Sequence, residues 1–363
     1  MKLLFTLILI VQSFFIYSQN NNFVCGNLTN MCTSFPIYCN IPRVITTDPC
    51  DPLFCPQLDH GDFAYIPTNS SPILEIRVVF HVMQQSAGNP QNFENIQGHL
   101  DHLSTLINIV NTDVLDRTGD SELCNGIATN APNQIDSRIR LVWNQNDIDF
   151  IVDPIGWSNN GSITDCYIDD QYVKNQNFDN NVLHIFVCEA LMDGTDGIGP
   201  AYYGSDYNYM IMNRLFTHFS TPTGFNNWGV ARVIAHELGH CLGLAHTFEL
   251  NEKPLFEYQC CPPSNWVNGA SNHLMARGDV QTYLSPLQVA HMRRLLHTSW
   301  RGQLLVNQNL DEPDFVVQNN LTIAQNDCLN WVGNIVVETG NTLTIEGLLL
   351  MGQDKYIIVE RGA

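Results

Sequence analysis

The sequence predicts an α/β (α+β) domain, a mixed twisted sheet packed on one long helix, followed by a β-strand-rich C-terminal module. Three observations carry this. Between Ile73 and Leu242 the apolar patterns run strand, helix, strand, strand, strand, helix, an order that suits helices laid on a sheet. The last helix contains His236-Glu237-Leu238-Gly239-His240-Cys241-Leu242-Gly243-Leu244-Ala245-His246, which fits H-E-x-x-H-x-x-G-x-x-H. After Trp300 the helical period gives way to short β-branched runs. A length of 363 residues with 44% hydrophobic content suits two or three domains with real cores.

Composition narrows the partners. The chain has 36 acidic against 16 basic residues, a net charge of −20. That disfavours nucleic acid and anionic membrane surfaces, and it leaves carboxylates to spare for Ca²⁺. Met1-Lys2 followed by the apolar run Leu3 to Tyr17 reads as a signal peptide over residues 1–18. The run is short of the roughly 20 residues that span a bilayer. The expectation is therefore a secreted protein with no membrane span after signal removal. Export makes disulfides permissible for the 12 cysteines.

Residues 19–72 are rich in Asn, Cys, Pro and Thr and show little periodicity. Cys25, Cys32, Cys39, Cys50 and Cys55 crowd into this segment, which reads as a stapled module or a pro-region. Residues 73–300 form the main domain. Ile73 to Met83 is a strand, and its His81 is expected to be a core or surface residue. Phe93, Ile96, Leu100, Leu103, Ile107, Val110 and Val114 then recur at helical spacing. His99 and His102 fall off that stripe and are expected to face solvent. Arg138 to Trp143, Leu183 to Cys188 and Tyr207 to Asn213 are further strands, with His184 read like His81. The turn-rich loop Asp193 to Pro200 has carboxylates that could hold Ca²⁺, without the EF-hand pattern.

Trp228 to Leu242 is the motif helix, with Cys241 expected as a small buried hydrophobe rather than a ligand. Ser285-Pro286-Leu287-Gln288 starts another helix, with Ser285 as N-cap and Gln288 completing a capping box. In residues 301–363, Ile335 to Gly340 is echoed by Ile357 to Gly362 at a spacing of 22. This suits a β-solenoid or a small sandwich, and the chain reads as stopping inside a longer array.

The motif carries chemistry. Histidines four apart lie on one helix face, so His236 and His240 can grip one Zn²⁺ from a single rigid element. Gly243 can take the conformation that ends a helix, and His246 follows as a third ligand. Glu237 stands beside the first ligand, placed to reach a water rather than the metal.

The continuation to Gly243 and His246 resembles the metzincin clan of zinc endopeptidases. The text His236 to Phe248, with Phe80-His81-Val82 far upstream, is most similar to the pappalysin (cytophagalysin) family. The resemblance covers about Ile73 to Trp300. It implies a metzincin-like catalytic domain, one catalytic zinc, protein or peptide substrates, and Glu237 as general base. It also implies a methionine turn beneath the metal, for which Met275 in Ser271-Asn272-His273-Leu274-Met275-Ala276 is the candidate. Cys55, Asp59 and Asp62 are candidates to occupy the open metal position in a latent form.

One position departs from the pattern. Many pappalysin-like enzymes have a tyrosine two residues after that methionine, where this chain has Arg277. Tyr283, Arg277 and Tyr209 are the candidates for oxyanion or substrate binding. His273 reads as a turn residue near the site. The alternative reading, motivated by Arg277, is a catalytically inactive metzincin-like binding or adhesion protein that keeps the zinc site.

Overall fold

A computed structural model describes residues 65–69, 71–116, 123–124, 127–128, 135–158, 170–176, 178–189, 197–198, 208–220, 227–244, 273–275, 283–307, 314–325, 328–352 and 355–363. The signal stretch, the Cys-rich segment up to residue 64, the loop carboxylates at 193 and 196, His246 and Arg277 lie outside them.

Strand β1 (Leu74–Gln84) is the spine of the sheet. Along one side it pairs in parallel with β4 (Ile139–Val142) and then β5 (Ile148–Val152). Leu74 pairs with Ile139 whereas Phe80 pairs with Ile148, so three extra residues are looped out between the two strands. On the other side β1 pairs with β6 (Leu183–Cys188), which pairs with β8 (Tyr209–Asn213), both in parallel. Strand β7 (Gly197–Ile198) closes that edge antiparallel to β8. Apart from this sheet, β2 (Leu123–Cys124) pairs antiparallel with β3 (Ile127–Ala128). The sheet is thus mixed and mainly parallel. Every residue of β6 and β8 is buried, as expected for central parallel strands covered on both faces.

Alternation along the strands sorts two cores. Val78, Phe80, Val82, Leu183, Ile185, Val187, Met210 and Met212 face the large cluster. That cluster also takes Leu103 and Leu106 of α1 (Gln97–Ile109), Ile234 and Leu238 of α5 (Asn227–Cys241), and Val289 and Met292 of α6 (Pro286–Thr298). Met83, Phe186, Cys188, Tyr209 and Ile211 face the other way, under Trp157 of α2 (Pro154–Ser158) and Val173 of α3 (Asp170–Asn175). His81 and His184 join this second face. His81 Nε2 and His184 Nδ1 are 2.8 Å apart, and the Phe178 ring lies 4.2 Å and 5.1 Å from the two imidazoles.

Helix α1 corrects one expectation. It starts at Gln97 and passes at Val110–Leu115 into a π-helical turn. His99 and His102 are buried rather than solvent-facing, whereas Ile96 is 51% exposed. The cause is aromatic cover from α4 (Leu215–Ser220): Phe219 approaches His99 at 4.8 Å and His102 at 5.1 Å, and Phe93 stacks on His99 at 4.4 Å. The main-chain N–H of Glu94 donates to His99 Nδ1 at 2.7 Å, so the ring also ties the preceding loop to the first turn of the helix. The capping box of α6 forms as expected between Ser285 and Gln288.

The C-terminal strands stack in parallel, one turn upon the next. β9 (Phe315–Val317), β12 (Ile335–Val337) and β15 (Ile357–Val359) form one ladder. β10 (Leu321–Ile323) pairs with β13 (Leu343–Ile345), and β11 (Cys328–Trp331) with β14 (Leu348–Met351). This is the pairing of a coil rather than of a sandwich, closed over Val317, Ile323, Leu329, Ile335 and Val337.

Candidate metal centre

Helix α5 is buried along nearly its whole length; Val230, Ala231, Ile234, Ala235, Leu238 and Cys241 all lie in the main core. It ends at Cys241, and two residues on Gly243 has a φ of +87°, a left-handed conformation that disfavours other residues. The Gly243 N–H donates to His240 O and the Leu244 N–H to Gly239 O, each at 2.9 Å. This is the Schellman pattern, and it turns the chain back across the helix end. The turn has a second effect. It brings the Leu244 carbonyl to His240, whose Nδ1 lies 2.7 Å from it.

His236 is held in the same way from another segment. Its Nδ1 lies 2.5 Å from the Leu274 carbonyl. A carbonyl only accepts, so each Nδ1 must carry the proton, and the lone pair of each ring resides on Nε2. The two rings stand 4.8 Å apart and nearly perpendicular, at 84°. Metal-ligating histidines characteristically donate their other ring N–H to a carbonyl or carboxylate in this manner. The pair therefore fits a borderline divalent cation such as zinc, bound through Nε2. Among the described residues no group of three or more His, Cys, Asp and Glu side chains is assembled for a metal. The third expected ligand, His246, lies outside them.

Leu274 is itself fixed. Its N–H donates to Tyr283 O at 2.7 Å, and His273 bridges Tyr283 in parallel, with the two rings edge to face at 5.2 Å. Met275 is fully buried in the core beside α5. Tyr283 is also buried, at 1% exposure, and its backbone supports the turn that holds His236. Tyr209 sits in the second core, 6.1 Å from Phe186, with its ring on the sheet face away from α5; its carbonyl accepts from Cys241 Sγ at 3.3 Å. Glu237 is buried at 5% exposure, next to His236 and one turn from Cys241. Burial first, and then the Glu237 carboxylate, push the Cys241 thiol up; Arg301 partly opposes them. The described structure thus brings His236, Glu237, His240 and Met275 onto or against one helix.

Sequence reasoning does not anticipate the two carbonyls or Arg301, whose Nε donates to Cys241 O at 2.7 Å. Leu244 is within reach of a pattern argument, since Gly243 at a helix end implies a Schellman turn. Leu274 and Arg301 are not, because both come from distant parts of the chain.

Residues 129–286 match the model of metallo-peptidase family M12 (Reprolysin_5). No curated protein matches the chain. Among solved structures, a promirolysin mutant from Tannerella forsythia is 18% identical with a TM-score of 0.43, covering 68% of this chain and 87% of that one. A chaperone–substrate complex is 13% identical with a TM-score of 0.32, covering 62% and 34%. No helix among the described residues is long and apolar enough to cross a membrane. The M12 match supports a peptidase hydrolase acting on protein or peptide substrates, with the matched residues spanning α5 and its two pinned histidines.

Proposed function

We propose that the protein is a secreted zinc-dependent endopeptidase of metzincin type, closest in motif to the pappalysins. The observation that carries this is the pair of imidazoles on α5, each with Nδ1 committed to a main-chain carbonyl. His236, His240 and His246 would hold the metal. Lewis acidity and an activated water at neutral pH are what zinc supplies there when bound. Glu237, on the same rigid helix, acts as general base: its carboxylate takes a proton from the attacking water and delivers it to the leaving amine. Its burial shields that transfer from bulk solvent. The Leu244 and Leu274 carbonyls keep the two imidazoles in one tautomer and orientation, so that binding requires no reorganisation of the helix. The Leu274–Tyr283 hydrogen bond and the His273–Tyr283 bridge support the carbonyl that holds His236. Ca²⁺ binding at residues 193–200 and a role for Arg277 or Tyr283 at the oxyanion belong to the same proposal.

The test is chelator-sensitive cleavage of casein or gelatin by the full secreted chain, with Glu237→Gln alongside. The variant is expected to keep one zinc and lose at least 10²-fold in turnover. Cleavage at the wild-type rate by Glu237→Gln would overturn the assignment. A wild-type protein that binds zinc and cleaves nothing would favour the inactive binding or adhesion protein.

A further inference from the structure

The last four carbonyls of an α-helix have no partner within it, and buried ones need a donor. In α5 each of the four has a donor. Leu238 O accepts from Leu242 N–H at 2.9 Å, Gly239 O from Leu244 N–H, and His240 O from Gly243 N–H. Those three donors come from the terminal turn itself. The fourth carbonyl, Cys241 O, accepts from Arg301 Nε at 2.7 Å, 60 residues further on. Cys241 is 1% exposed and Arg301 4% exposed, so bulk water has little access to replace that donor.

Arg301 is itself held in place. It lies in the 3-10 turn Trp300–Leu304, its N–H donates to Ser299 Oγ at 3.2 Å, and its guanidinium lies over the Trp300 ring at 5.0 Å. The same segment is stitched to the sheet. Leu305 bridges Ile76 in antiparallel sense, and Val306 N–H donates to Glu75 O at 2.8 Å. The planar fork of arginine on an aromatic face is a fixed donor, and its charge suits the negative end of a helix dipole.

We propose that Arg301 is a positioning residue for the metal centre: by closing the C-terminal end of α5 at Cys241, it fixes the turn that sets the Leu244 carbonyl against His240 Nδ1. The inference rests on the zinc reading of His236 and His240. Without the guanidinium, a buried carbonyl at Cys241 loses its donor, and the Gly243–Leu244 turn is the neighbouring segment able to shift in response. Such a shift releases the imidazole that the turn orients.

The experiment compares wild type, Arg301→Ala, Arg301→Lys and the distant control Arg77→Ala, which removes only an exposed ion pair with Asp147. Two quantities are read at a temperature where each protein is folded. The first is the zinc dissociation constant, by competition with a chromophoric chelator. The second is hydrogen exchange of the Gly243 and Leu244 amides in metal-free protein. Arg301→Ala is expected to bind zinc about 10-fold more weakly and to exchange faster at both amides. Arg301→Lys should fall between it and wild type, and the control should match wild type in both. A role in overall stability alone would lower the melting temperature and leave both quantities of the folded protein unchanged, and that outcome overturns the proposal. If Arg301→Ala does not fold, Arg301→Lys decides: wild-type zinc affinity and wild-type exchange count against it. A wild-type chain that binds no zinc sinks the endopeptidase reading, while the exchange data still decide whether Arg301 fixes the turn.

Discussion

The sulfur of Met275 lies 2.5 Å from where a Cβ on Gly239 would stand. The two residues therefore share one volume, and the glycine of the His-Glu-Leu-Gly-His run is what admits the methionine. Gly239→Ala should gain about 0.5–1 kcal/mol from helix propensity and lose about 1–3 kcal/mol to overpacking. The expected outcome is net destabilisation, seen as a lower urea midpoint. Met275→Leu, nearly volume-conserving, should cost less than about 1.5 kcal/mol. A more stable Gly239→Ala would show that Met275 has free room to withdraw.

Arg293 of α6 is 2% exposed, and its Nη1 lies 3.2–3.5 Å from the carbonyls of Pro72, Ser137 and Arg138. It ties the helix to the start of β1 and β4. Arg293→Met keeps bulk but leaves buried carbonyls without that donor, so a loss of about 3 kcal/mol or more is expected. Chemical denaturation measures it. A loss under about 1 kcal/mol would mean that water or another donor reaches the carbonyls.

Two buried histidines, His81 and His184, and the half-buried His297 predict acid sensitivity. His81 is pushed down to about 3, first by burial and then by His184. Asp149 Oδ2 lies 3.1 Å from His81 Nδ1, but that carboxylate is 60% exposed and burial outweighs it. His297 is likewise pushed down to about 3, by burial and then by the charges of Arg293 and Lys355. His184 is lowered by burial, with the Asp179 hydrogen bond and the Asp179 and Asp149 charges opposing. Each native ring resists a proton that the unfolded chain accepts near pH 6.5, so the unfolded state binds more protons below that pH. Stability should be full above about pH 6.5 and fall steadily towards pH 3. Near pH 5 the loss is about 2 kcal/mol for each histidine held near 3. Urea midpoints from pH 7 to 4 test this, and His297→Phe should flatten the slope.

Cys241 stands beside His240, yet its thiol is buried and pushed up. Iodoacetamide should not modify it in the native protein and should do so readily in urea, read by mass spectrometry. Cys241→Ala is expected to keep zinc affinity within about twofold, since no ligand is lost. Native labelling at this site, or loss of zinc from the alanine variant, would count against the core role.

How much of this is legible in the sequence follows from the range over which each signal acts. Local chemistry is readable: the Ser285–Gln288 box, β6 at Leu183–Cys188, and the helix end at Gly243. Whatever depends on a distant neighbour is not. His99 and His102 look exposed in the sequence because the phenylalanine covering both comes from α4. β5 escapes a pattern reading because Ile148–Val152 has no fully buried residue and alternates weakly. The motif announces His236 and His240, but the carbonyl that orients His236 lies 38 residues away. The strand alone suggests Tyr209 for the substrate edge, whereas alternation puts its ring on the opposite sheet face.

The arrangement around β1 also sets a schedule for synthesis. One flank of Glu75 and Ile76 is filled by β4, and the other by Val306 and Leu305. Arg293 reaches back 221 residues to Pro72. A chain emerging from the ribosome has β1 in hand early but cannot close the second flank until residues beyond 306 have appeared. Contacts of such separation make folding slow and late. Helix α5, with the Leu244 and Leu274 carbonyls that orient its histidines, would thus be extruded well before the second flank of β1 can close.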